Sequence, residues 1–194
     1  MIGRIEWKNS LFNIMPSEVY PFDAIVIGAG IVGLAAAKKL SDTFENILLV
    51  EKEMTFGRHV SSRNSEVIHS GIYYQKNSLK AKLCVEGNRK MVSFAKDNNI
   101  EHRVCGKLVV VHDSNQLDKL EALKENGIDN GVEGLCILSK EQAAKQEPDI
   151  TSAGALWVPS AGIIDTHAVM HRLEYQLREK EGVVVYNSEV TSIE

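Results

Sequence analysis

GAGIVG, residues 28 to 33, admits few folds. It follows directly on Asp23 to Ile27 (DAIVI), a short apolar run, and opens into LAAAKKL, whose composition favours helix. A second apolar run, Asn46 to Val50 (NILLV), comes next. Strand, glycine turn, helix and strand make a βαβ unit, the beginning of a parallel sheet. In that setting G-x-G-x-x-G carries chemistry: Gly28 permits the tight turn, Gly30 lets the main chain approach a pyrophosphate, and Gly33 lets helix and sheet pack closely. Gly28, Ala29, Gly30, Ile31, Val32 and Gly33 are therefore the expected phosphate cradle. There the helix N-terminus presents unpaired N–H groups and about half a positive charge. Glu51 closes the second strand, 18 residues beyond Gly33, where a carboxylate would hold ribose hydroxyls, with Lys52 beside it.

Both FAD and NAD present an ADP half to such a turn. A nicotinamide fold would continue with another helix and a third parallel strand, whereas KEMTFGRHVSSRNS is polar, irregular and interrupted by glycine. That composition suits a loop along a long extended cofactor, with Ser61, Ser62, Arg63, Asn64 and Ser65 as donors to phosphate and ribityl oxygens. The alternative is a solvated serine-rich loop. Arg63 suits either a cofactor phosphate or a substrate carboxylate.

Further along, a helix is expected from Ser78, its cap, to about Asn98, and a strand at Lys107 to Val111. Another helix over Asn115 to Asn126 is ended by Gly127, and a short one opens at Ser139 and stops before Pro148. Ala155 to Val158 reads as strand, and Asp165 caps a helix over Thr166 to Glu181 with Val169, Leu173 and Leu177 on one stripe. Val183 to Tyr186 is a final strand, after which SEVTSIE trails off. The fold expected is α/β: an N-terminal extension at 1–22, a Rossmann-like FAD-binding part at 23–100, and the start of an α+β substrate domain at 101–194, without the C-terminal half.

Composition removes other classes. The net charge is −4, with no Lys/Arg run, so the footprint of a nucleic-acid binder is missing. Cys84, Cys105 and Cys136 stand far apart without C-x-x-C, against both a disulfide framework and zinc, and buried thiols in a reducing compartment are expected. His59, His102, His112, His167 and His171 lack ligand spacing, so no metal is assigned. No window reaches the ~18 apolar residues of a membrane-spanning helix.

SSRNSEVIHSGIYY, Ser61 to Tyr74, offers the remaining chemistry. A neutral imidazole at His69 is suited to take a hydroxyl proton near neutral pH, although a lone histidine is equally read as a core residue satisfied by a backbone carbonyl. Ser70-Gly71 would turn the chain beneath a flavin ring. Tyr73 and Tyr74 either hydrogen-bond substrate carboxylates or simply pack in an alternating strand. Lys80 and Lys82 begin a helix face and are expected to be solvated.

Together with SLKAKLCVEG, CGKLVV and PSAGIIDTHAV, these segments resemble the L-2-hydroxyglutarate dehydrogenase/oxidase family, within the FAD-dependent oxidoreductases related to D-amino-acid oxidase, from about Asp23 to the last residue. The resemblance implies noncovalent FAD and oxidation of L-2-hydroxyglutarate to 2-oxoglutarate, with hydride passing to flavin N5 and His69 as base. Electrons would go on to a quinone or another acceptor. Related flavoenzymes acting on glycerol 3-phosphate or an amino acid are the alternative, as is a noncatalytic dinucleotide-binding fragment. The implied location is cytoplasmic, peripheral at the inner membrane, or mitochondrial in a eukaryotic source. Chains of that family are about twice this length, so an N-terminal fragment that stops before re-entering the cofactor sheet is expected.

Overall fold

A computed structural model describes residues 5–9 and 21–193. The chain runs β1 (Ile5–Asn9), β2 (Ala24–Ile27), α1 (Ile31–Leu40), β3 (Ile47–Val50), β4 (Val67–Ile68), α2 (Leu79–Asp97), β5 (His102–Arg103), β6 (Lys107–Val111), α3 (Leu117–Asp129), β7 (Cys136–Ser139), α4 (Lys140–Gln146), β8 (Gly154–Val158), β9 (Gly162–Ile164), α5 (Thr166–Glu179), β10 (Val183–Val185) and β11 (Ser188–Ile193). It divides into two compact units, one formed by residues 1–65 with 166–194 and the other by 66–165.

The first unit is a parallel sheet in the order β10-β3-β2. Every residue of the central strand β3, ILLV, is buried, as expected where helices cover a parallel sheet. α1 packs on α5, which turns Val169, Met170, Leu173 and Leu177 inward at a spacing of three to four residues. Complete burial of Leu177 makes truncation to alanine worth about 2–5 kcal/mol.

β10 pairs in parallel with β3, Val183 opposite Leu48 and Val185 opposite Val50, so the expectation that the chain stops before re-entering the cofactor sheet is corrected. The division at residue 100 differs from the compact units for the same reason: α5 and β10 return to the unit that β2 began. SEVTSIE does not trail off either. As β11, Ser188–Ile193 pairs antiparallel with β1, so residues 5–9 of the expected N-terminal extension form a strand, while residues 1–4 and 10–20 of it lie outside the described residues.

Two antiparallel sheets, β4-β9-β5 and β6-β8-β7, build the second unit. Its core gathers Ile72, Val111, Leu120, Val132, Leu156, Val158 and Ala161, and α4 adds Ala143 against Leu138 and Ala155. Ser78 and Ser139 cap α2 and α4 as expected, Ser139 through a full capping box with Gln142. α3 runs on through Gly127 to Asp129, so that glycine does not end the helix; it packs closely instead, a methyl group there lying 2.5 Å from Leu135 and 3.1 Å from Ile72.

Candidate functional site

The glycine turn lies wholly within the first unit. Gly28 takes φ +100°, a left-handed conformation that disfavours any side chain, and its N–H donates to the carbonyl of Val50 at 2.7 Å, locking the turn to β3. At Gly33 a methyl group would stand 1.9 Å from the carbonyl oxygen of Gly28. Gly30 is the N-cap of α1 in extended conformation, offers no side-chain cap, and is followed by a first turn without acidic residues. An anion placed there meets the positive end of the helix with no acidic side chain from its first turn.

Two predicted residues complete this turn. The Oε2 atom of Glu51 accepts the Ala29 N–H at 2.6 Å, and its Oε1 accepts the Glu53 N–H at 2.9 Å. The carboxylate is buried and fixed between the turn and the end of β3, and each oxygen keeps a second lone pair for a hydroxyl. The Ser61 hydroxyl accepts the Ile31 N–H at 3.0 Å and keeps its own proton for an anion. A methyl group on Gly30 would lie 3.1 Å from that hydroxyl, a tight contact between the serine loop and the helix end.

The rest of the loop is braced. Ser62 donates to the Gly57 carbonyl, the Gly57 N–H donates to the Ala29 carbonyl at 3.0 Å, and the Asn64 amide donates to the Ser61 carbonyl at 2.9 Å. Lys52, Arg63, Ser65 and Val32 are exposed. A bent left-handed glycine, a helix end without a carboxylate, a serine hydroxyl and a fixed acid fit the ADP portion of FAD.

His69, Tyr73 and Tyr74 belong to the second unit. His69 is exposed, and its main-chain carbonyl accepts both the Asn88 amide at 3.0 Å and the Cys84 thiol at 3.6 Å. The tyrosines are not in a strand: β4 ends at Ile68, and the chain turns from Gly71 to Tyr74. Gly71, at φ +98°, leaves a methyl group only 2.8 Å from Val85, so its neighbour on α2 already demands glycine. Three asparagines hold this loop. Asn88 also reaches the Ser160 carbonyl at 2.8 Å, Asn126 spans the carbonyls of Ile72 and Tyr74, and Asn130 spans those of Gly71 and Tyr74.

Lys107 and Lys80 also gather here. The Lys107 ammonium sits 4.4 Å from the Tyr73 ring centre and the Lys80 ammonium 4.5 Å from that of Tyr74, while Lys80 is exposed as expected. Burial pushes the Lys107 ammonium below the usual lysine range and the Tyr73 phenol above its own. Burial also raises the Cys84 thiol, and both lysines oppose it. Cys84 is partly buried, whereas Cys105 and Cys136 are exposed, against the expectation of buried thiols. Lys107 and the asparagines escape a reading of motifs because lysine and asparagine at these positions carry no spacing signal.

Comparison with known proteins decides the class. Residues 23–194 match the model of the FAD dependent oxidoreductase (DAO) family. The chain belongs to that family. FAD is accordingly its cofactor, and the α/β architecture is that of a family member. The chain is 44% identical over 148 residues to the mitochondrial L-2-hydroxyglutarate dehydrogenase of Arabidopsis thaliana, covering 76% of this chain and 31% of that one. With the Bos taurus protein of the same name it shares 40% identity over 175 residues, covering 89% of this chain and 38% of that one. This family member therefore spans about a third of the length of these relatives. Among solved structures, FAD-bound L-alpha-glycerophosphate oxidase from Mycoplasma pneumoniae superposes with a TM-score of 0.83 at 27% identity, covering 90% of this chain and 47% of that one.

Proposed function

We propose that the protein carrying this chain oxidises L-2-hydroxyglutarate to 2-oxoglutarate and passes the electrons to a quinone or another acceptor. The observation that carries this reading is the 44% and 40% identity to two proteins bearing that enzyme's name. Bound FAD supplies the acceptor for the hydride that leaves C2. The C2 hydroxyl must lose its proton as the hydride departs, and His69 is the residue to take it: its imidazole is exposed while its main chain is pinned by Asn88 and Cys84. Gly28 to Gly33, Glu51 and Ser61 hold the ADP end of the cofactor.

Anaerobic mixing of the FAD-loaded protein with L-2-hydroxyglutarate tests this. Bleaching of the flavin band near 450 nm with release of 2-oxoglutarate is expected, and His69→Gln should slow the bleaching about 10²- to 10⁴-fold at unchanged FAD content. Bleaching at the original rate in the variant removes His69 from the role of base. The likeness to the glycerophosphate oxidase favours one second reading, a glycerol 3-phosphate enzyme, and reduction by that compound alone would establish it. A noncatalytic protein would bind FAD that neither compound reduces. In a eukaryotic source the location would be mitochondrial, as in the names of the plant and cattle relatives; otherwise it would be cytoplasmic or peripheral at the inner membrane. Among the described residues no helix is long and apolar enough to cross a membrane.

A further inference from the structure

We infer that Lys107, held on the face of Tyr73 and seconded by Lys80 on Tyr74, is the binding site for a carboxylate of the substrate. The inference rests on the substrate reading above and adds to it the residues that recognise the acid.

Four observations carry it. The two ammonium groups lie on the rings of adjacent tyrosines, at 4.4 and 4.5 Å, so one turn of chain gathers two cations. Neither lysine has a carboxylate partner among the described residues, and other lysines without one, such as Lys52 and Lys119, are exposed. Lys107 is moreover half-buried, so it gives up hydration without gaining a counter-charge. Such a cation is unsatisfied until an anion arrives, and an ammonium-carboxylate hydrogen bond is among the stronger available. Finally, the loop that carries the two rings also carries the proposed base, four residues before Tyr73, and Asn88, Asn126 and Asn130 brace it at His69 and Tyr74.

The tyrosine faces have their own part. A ring under an ammonium attracts it through the quadrupole and fixes its place without neutralising it, leaving N–H donors for the ligand. A glutamate in the same position would hold the lysine equally well and cancel it.

The test is titration of the FAD-loaded protein with glutarate, an inert dicarboxylate, followed through the flavin absorbance, with glutaramide as the uncharged control. Glutarate should bind and glutaramide should not. Lys107→Met should weaken glutarate about 10- to 100-fold at unchanged FAD content and thermal midpoint. Lys107→Arg keeps the charge and should stay within about threefold, which keeps the inference testable if the methionine variant folds poorly. Tyr73→Phe should bind as the parent does, while Tyr73→Leu, which removes the platform, should weaken binding several-fold. Equal glutarate affinity in Lys107→Met and parent overturns the inference and leaves the substrate reading intact. A parent protein that neither binds glutarate nor is reduced by L-2-hydroxyglutarate overturns both.

Discussion

A methyl group on Gly33 would sit 1.9 Å from the Gly28 carbonyl oxygen, and backbone cannot step aside as a flexible side chain can. Gly33→Ala should therefore cost about 2–4 kcal/mol and abolish FAD retention, both measurable by denaturant titration and flavin absorbance after gel filtration. Glu51 fails differently. Its two oxygens satisfy the Ala29 and Glu53 N–H groups, so Glu51→Ala strands two donors, costs about 1–3 kcal/mol and weakens FAD as well. Gly33 and Glu51 could be placed at the turn because their spacing reports a main-chain geometry, and Ser61 was singled out by the polar, irregular composition of its loop. Lys107 was not, because what distinguishes it is its partial burial and the ring beneath it, which a distant segment supplies.

At the scale of elements, α2 and α3 do more than form a core: each supplies asparagine to the loop carrying His69 and the tyrosines. Asn126 donates to the carbonyls of Ile72 and Tyr74 at 2.7 and 3.0 Å. Asn126→Leu leaves both without that donor and should cost about 1–3 kcal/mol, with the rate of flavin reduction falling more than FAD content. Ser78→Ala removes the acceptor for the Ala81 N–H and should cost about 1 kcal/mol, read as a lower thermal midpoint. The caps were visible in sequence because capping is local. The extent of α3 was misjudged since Gly127 resembles a stop signal until Leu135 is seen against it.

For the molecule as a whole, Asp42 joins parts of the chain 138 residues apart. It follows α1 and pairs with Lys38, Lys39 and Lys180, the last lying beyond α5. The three ammonium groups, Lys180 foremost, hold its carboxyl well below the usual aspartate range. With the folded-state pKa depressed, the contribution is complete above the ordinary value of 3.8 and is lost as pH falls below it. Asp42→Asn should lower the thermal midpoint at pH 7, and the gap to the parent should close on acidification below about pH 3.8 and shrink in 1 M salt, since the cluster is exposed.

The βαβ start, the phosphate turn, the acid at the end of β3 and the two serine caps were all implicit in the order of residues, since each rests on contacts close in sequence or on a backbone conformation that glycine alone tolerates. The partner of β3 on its far side, the turn that carries the tyrosines and the lysines above their rings depend on which segments meet. Pairing across more than a hundred residues is chosen by burial and register of the whole chain, and no short stretch of sequence records it.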